Sequence, residues 1–115
     1  MRMDIFPDEV IKNAIDLRCI GIHEFAWRYD YALMAVYALN ENNHIILGGD
    51  VYNLADKDGF LSSTRDSWYF NKNSIGNNVA ESNEKALDYI NKYHNRNGDY
   101  FCYSIVVDLE GRRDG

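Results

Sequence analysis

The sequence predicts an α+β fold in which three helices pack on a three- to four-stranded, mostly antiparallel sheet. Three segments repeat apolar residues at the three- and four-residue steps of a helix, whereas other segments carry the short apolar runs and turn residues of strands. The order along the chain is helix, helix, two or three strands, helix, strand, so neighbouring strands are joined by hairpins. Residues 1–115 are expected to form a single domain, with residues 110–115 as a flexible charged tail.

The first two helices are predicted in the N-terminal part of the chain. Pro7 suits the first helical position and Gly21 is a natural left-handed stop, so the first helix is expected between them. A second apolar pattern at helical spacing runs from Ile22 to Asn42–Asn43, and we expect this helix near the centre of the fold. Trp27 and Tyr31 lie off the main apolar stripe of this helix.

The first strand is predicted over His44–Leu54, and a third helix begins after Asn78. Asn78 is a plausible N-cap because Glu81 follows three residues later, in the pattern of a capping box. The pair Asn97–Gly98 ends this helix. The other turns and strands predicted are a hairpin turn at Asp56–Gly59, a return strand from Phe60, a bend at STRD, a short strand SWYFN and a last strand YFCYSIVVDL.

The interior of the first predicted strand contains an unusual Gly48–Gly49–Asp50 sequence. Glycine weakens a strand, but it allows the strand to bend, to bulge, or to be approached closely by another backbone. We expect this to aim Asp50 toward Asp66. The two carboxylates then either accept hydrogen bonds from the backbone or from the Trp68 indole, or they face a cation on a partner.

The composition excludes several classes of protein. A net charge of −6 and a pI of about 4.9 give a negative surface, which repels phosphate backbones and favours basic partners, so direct nucleic-acid binding is not expected. Cys19 and Cys102 have no metal-binding spacing and are expected to be small buried hydrophobes in a reducing compartment. With no apolar leader and no membrane-length run, the chain is predicted to be a cytoplasmic protein without metal or cofactor.

Catalytic motifs are absent from the sequence. The histidines His23, His44 and His94 each stand alone, and no nucleophile elbow or phosphate-binding loop is present. Asp50 and Asp66 could converge as the paired carboxylates of a small hydrolase or nuclease, although no accompanying basic or metal-binding residues are evident. This enzyme is the alternative to the binding function considered next.

Aromatic residues with polar tips are abundant and often stand beside acids. The chain has nine tyrosines and two tryptophans. Such side chains are typical interface anchors, and neighbouring acids pair with a basic partner. Alternatively, the rings fill the core of a small domain, or line an apolar pocket of a ligand-binding module. The groups concerned are Trp27–Tyr29–Asp30–Tyr31, Asp50–Tyr52 and Asp66–Trp68–Tyr69.

Three segments are moderately specific in their order and spacing. They are ILGGDVY (Ile46–Tyr52), DSWYF (Asp66–Phe70) and SNEKALDYINKY (Ser82–Tyr93), the last followed by a closing strand. Together they resemble the immunity protein 40 family, whose members are antitoxins of bacterial polymorphic-toxin and contact-dependent growth-inhibition systems. The resemblance extends over roughly Asp8 to Leu109.

This resemblance implies a cytoplasmic, non-enzymatic protein that binds one cognate toxin domain and blocks its active site or the approach of its substrate. By analogy, the toxin is expected to be a nuclease with a basic groove. If the motif residues prove dispensable, the binding face is to be sought on the helices around Trp27 and Tyr31. The residues predicted to bind the toxin are Asp50, Tyr52, Asp66, Trp68 and Tyr69.

Overall fold

The computed structural model describes residues 3–54, 62–70 and 78–108 and confirms the α+β class. In this part of the chain, three α-helices accompany one antiparallel sheet of six strands, which is more strands than predicted. The helices are α1 (Asp8–Lys12), α2 (Tyr29–Glu41) and α3 (Val79–Asn97). The strands are β1 (Ile15–Asp16), β2 (Phe25–Arg28), β3 (Ile46–Asn53), β4 (Ser62–Tyr69), β5 (Phe101–Ser104) and β6 (Val106–Val107).

The sheet has the strand order β1-β2-β5-β3-β4, and β6 also pairs with β3. All of these pairs are antiparallel. Strand β5 lies between β2 and β3, but after a break at Ile105 the chain follows only β3. The pairing of β2 with β5 ends at Ala26–Ser104, so the sheet is split beyond that point.

The first predicted helix is much shorter than its sequence pattern suggested. α1 ends at Lys12, and the residues that continue the pattern form β1 and a 3₁₀ turn, Leu17–Ile20. The Leu17 amide donates to the Glu24 carbonyl at 3.0 Å, so this segment folds back on the strand that follows it. Gly21 is left-handed, with φ 84°, as predicted, but it terminates the 3₁₀ turn.

The second predicted helix begins later than expected because its first residues form β2. In a strand, successive side chains point to opposite faces of the sheet, so Trp27 faces the helices and is fully buried. Its Nε1–H donates to the Val10 carbonyl at 2.9 Å. The expectation that Trp27 lies off the apolar stripe is therefore wrong, because the stripe was drawn for a helix whereas Trp27 lies in a strand.

The third helix agrees closely with the prediction. The Asn78 side chain accepts from the Glu81 amide at 2.9 Å, which confirms the N-cap, and Gly98 stands at the C-terminal end. The buried Asn83 donates to the Val36 carbonyl of α2 at 2.7 Å, so the two long helices are joined by a hydrogen bond as well as by apolar packing.

Both long helices cover one face of the sheet, and the main core lies between them and the sheet. On the opposite face, a smaller cluster is covered by the Leu17–Ile20 turn. This second cover reaches only one end of that face, which we call the open face. The buried members of the smaller cluster are Leu17, Ala26, Tyr52 and Cys102.

Several predictions concern the region around β4. The predicted bend at STRD lies inside a continuous strand, but the register shifts there: Asp50 is opposite Ser67, whereas Tyr52 is opposite Ser63. The hairpin turn at Asp56–Gly59, the start of the return strand and the tail at 110–115 lie outside the described residues. No helix in the described ranges is long and apolar enough to cross a bilayer.

Candidate partner-binding surface

The two glycines of β3 are required by the close approach of neighbouring strands. A Cβ on Gly48 would lie 2.1 Å from the Trp68 carbonyl oxygen of β4. A Cβ on Gly49 would lie 1.9 Å from the Ser104 carbonyl oxygen of β5 and 2.8 Å from the Trp68 indole. The Gly-Gly sequence therefore lets β4 and β5 approach β3, with the indole lying over Gly49.

A patch of accessible side chains surrounds Gly48 on the open face. Gly48 is opposite Tyr69 of β4 and opposite Val106 of β6. Tyr69 is 76% exposed and Val106 is 38% exposed. The neighbours Trp68 and Ile105 belong to the main core, so strand alternation directs Tyr69 and Val106 to the other face, away from the helices.

Two carboxylates complete this patch. The backbone amide of Asp50 donates to Ser104 Oγ at 3.1 Å, and its half-buried side chain lies on the same face as Tyr52. Burial, and then the nearby charge of Asp50, raise the pKa of Glu24. Burial and the same two carboxylates also raise the pKa of the Tyr52 hydroxyl. We call Glu24, Asp50, Tyr69 and Val106 the open-face patch.

The acids of the open-face patch are not neutralised by the described basic residues. Neither Glu24 nor Asp50 forms an ion pair within the described ranges. Arg18, on the turn that covers the other end of this face, is held instead by Asp16, with its Nη2 2.6 Å from the carboxylate. The patch therefore combines an exposed aromatic ring with negative charge that forms no ion pair with a described side chain, which suits a basic protein surface.

Of the predicted toxin-binding residues, Asp50 and Tyr69 lie in this patch. Tyr52 is on the same face, but it is only 3% exposed and belongs to the cluster beneath the Leu17–Ile20 turn. Its ring is therefore part of the scaffold in this structure. Whether any of these side chains contacts a toxin stays a prediction.

Asp66 and Trp68 lie on the helix side of the sheet. Asp66 Oδ2 accepts from the Tyr93 hydroxyl of α3 at 2.7 Å, and burial together with this bond raises the pKa of Tyr93 to about 12. Trp68 is 5% exposed and stacks on Tyr89 of α3 at a ring-centroid distance of 5.3 Å. These contacts tie β4 to α3.

Asp50 and Asp66 therefore do not converge, because they lie on opposite faces of the sheet. The expectation that Asp50 points toward Asp66 is wrong. The Trp68 Nε1–H makes no hydrogen bond to either carboxylate. The geometry provides no paired-carboxylate site at these two residues, and no group of three or more possible metal ligands occurs among the described residues.

The sequence prediction missed Glu24 and Val106. Glu24 was placed in a helix, where its spacing from Ala26 carries no information about a sheet face. Because residues 25–28 form a strand, Glu24 comes directly before β2, and its charge interacts there with Asp50 and Tyr52 of the open face. The helical surface considered as an alternative also changes, because Trp27 is buried and Tyr31 is half-buried.

Comparison with protein families finds a match to a family described as immunity protein 40. The match covers residues 16–107, from β1 to the end of β6, which is most of the chain. Comparisons with curated proteins and with solved structures find no match.

Proposed function

The chain belongs to the immunity protein 40 family, and we propose that it binds a cognate bacterial toxin domain and neutralises it. The toxin would belong to a contact-dependent growth-inhibition or related polymorphic-toxin system. Inhibition would take place in the cytoplasm, where the toxin acts, and by occlusion of its active site. The protein performs no catalysis in this proposal.

The open-face patch is the observation that carries this proposal at the level of residues. An exposed tyrosine provides a large contact area at small entropic cost, and it stands beside two carboxylates that no described cation neutralises. The strands beneath it are held by the close approach at Gly48 and Gly49, so the patch lies on a rigid support. A rigid surface loses little conformational entropy on binding.

The negative charge favours a toxin with a basic active-site groove, as a nuclease would have. A nuclease groove binds phosphates with cationic side chains. Carboxylates on the open face would occupy the same positive potential and exclude the substrate. This supports a nuclease as the target class, and the net charge of −6 acts in the same direction over a longer range.

The proposal predicts that a toxin domain is encoded beside this protein, and neutralisation of that domain is the test. Expression of that domain in a bacterial host should stop growth, and co-expression of the full chain should restore it. The two purified proteins should form a complex that abolishes toxin activity in vitro. A host that stays arrested, together with the absence of a complex on size exclusion, would overturn the proposal.

A further inference from the structure

A groove lies where the sheet is split between β2 and β6. Strand β2 pairs with β5 only from Ala26 onward, while the chain after Ser104 continues along β3. The gap between the two strands holds about 270 Å³. Its lining comprises Met3, His23, Glu24, Phe25, Ile105, Val106 and Val107.

The walls of this groove are apolar, and one end is acidic. Phe25 is 37% exposed and Val106 is 38% exposed, so each offers an accessible hydrocarbon surface. Glu24 contributes a carboxylate, with Asp50 near enough to influence it electrostatically. Small-molecule sites usually occupy ~300–1,000 Å³, so this volume is better matched to one long side chain.

We propose that this groove receives a single arginine side chain of the toxin. The hydrocarbon stem would pack against the apolar walls that Phe25 and Val106 give the groove, and the guanidinium would pair with the Glu24 carboxylate. Charge complementarity selects this occupant, because two neighbouring carboxylates without a described cationic partner repel an anion and attract a cation. The identity of the partner rests on the proposed function, whereas the chemistry of the groove does not.

Arginine fits this groove better than lysine does. Its planar guanidinium can donate two parallel hydrogen bonds to one carboxylate, whereas the ammonium group of lysine acts as a point charge. It is also less strongly hydrated than an ammonium group, so a partly apolar groove costs it less. The half-buried Glu24 supplies the carboxylate, and the accessible carbon surface of Phe25 and Val106 supplies the apolar walls, within one groove.

The groove can be tested without the toxin. In NMR titrations at pH 7.5, N-acetyl-arginine methylamide should shift the resonances of Glu24, Phe25 and Val106, and the uncharged citrulline analogue should not. Glu24→Gln should weaken this binding about tenfold, because a charge-assisted hydrogen bond is lost. The matched control is Glu84→Gln on the exposed surface of α3, which should leave binding unchanged.

Equal shifts with the citrulline analogue, or shifts confined to another surface, would overturn the proposal. Arginines of this chain itself are the competing occupants. If the full chain carrying Arg112→Gln and Arg113→Gln bound the probe about tenfold more tightly, its own C-terminal segment would be the ligand, and the proposal would be wrong.

A second experiment tests the groove with the cognate toxin domain. Glu24→Gln should weaken the complex about tenfold, and its effect should disappear against a toxin in which the inserted arginine is changed to alanine. If the wild-type complex forms but no toxin arginine couples to Glu24, the groove proposal fails and the proposed function stands. If no complex forms, the proposed function fails, and the titration still decides whether the groove binds arginine.

Discussion

Gly49 occupies a position where even a methyl group has no room. Its added Cβ would lie 1.9 Å from the Ser104 carbonyl oxygen, which is backbone and can move only with β5. We expect Gly49→Ala to lower the free energy of unfolding by about 2 kcal/mol or more, because the strands must separate to relieve the overlap. Urea denaturation followed by circular dichroism measures this loss.

Gly21→Ala is the matched control for this substitution. Gly21 has φ 84° and nothing lies within 4 Å of the added Cβ, so only backbone strain opposes the change. That strain amounts to ~1–2 kcal/mol. If the Gly49 variant were no less stable than wild type, the close approach of β5 would not be the reason for the glycine.

Glu24 should make stability depend on pH in a defined direction. Its folded-state pKa is raised above the ordinary value of 4.5 by burial and by Asp50. The folded protein therefore loses stability as the pH rises from that ordinary value through the raised pKa. Glu24→Gln should raise the Tm at pH 7, and this difference should vanish below pH 4.

Thermal unfolding of the two proteins across this pH range checks the prediction. Asp50→Asn should bring the NMR-measured pKa of Glu24 closer to its ordinary value, because it removes the neighbouring charge. A Glu24→Gln variant that is equally destabilised at every pH would mean that the carboxylate is a structural hydrogen-bond acceptor. If Glu24→Gln instead stabilises the fold and weakens binding of the partner, Glu24 behaves as a functional residue, whose carboxylate lowers stability but is needed for binding.

At the scale of elements, α3 was predictable because its signals are local. An N-cap, a periodic apolar face and a terminal glycine all lie within the helix and its immediate neighbours. The cap can be tested directly: Asn78→Ala should cost about 1 kcal/mol, because the Glu81 amide loses its acceptor. Asn78→Asp keeps an acceptor and should retain most of the stability in the same urea titration.

Strand β2 could not be predicted from its own four residues. Phe25–Arg28 continues the helical spacing of α2, and a short apolar run fits either period. Two neighbours decide the outcome, since β1 pairs along one edge and β5 along the other. β5 lies more than seventy residues away in sequence, so the residues in and around β2 do not predict the pairing of these two strands.

Register limits the prediction of the binding surface in the same way. Asp50 and Tyr69 were identified from the motif, and both lie on the open face. Asp66 and Trp68 were assigned to the same site, but strand alternation and the register shift opposite Asp50–Tyr52 place them against α3. Sequence identified most of the chemical groups, whereas the pairing of strands decided which groups share a surface.

At the scale of the whole molecule, the net charge predicts how quickly a basic toxin associates. A chain with a charge of −6 should attract it before contact, and salt should screen that attraction. We expect the association rate constant to fall by about tenfold between 0.05 and 0.5 M NaCl, while the dissociation rate constant changes much less. Surface plasmon resonance measures both constants, and a salt-independent association rate would contradict steering.

We propose that the toxin docks on the open face of the sheet. Tyr69 and Tyr37 are both exposed tyrosines, 76% and 54% respectively, but Tyr37 lies on α2. The most direct measurement is therefore the Kd of the cognate toxin domain for Tyr69→Ala and for Tyr37→Ala, by calorimetry. Either substitution should change stability by less than about 0.5 kcal/mol, because each ring is exposed.

We expect Tyr69→Ala to weaken the complex by about 2 kcal/mol or more, roughly thirtyfold in Kd, as for a central aromatic anchor. Tyr37→Ala should stay within about twofold of wild type, because an exposed side chain outside the interface contributes little. Wild-type affinity for the Tyr69 variant combined with a large loss for the Tyr37 variant would place the interface on the helices and contradict docking on the open face.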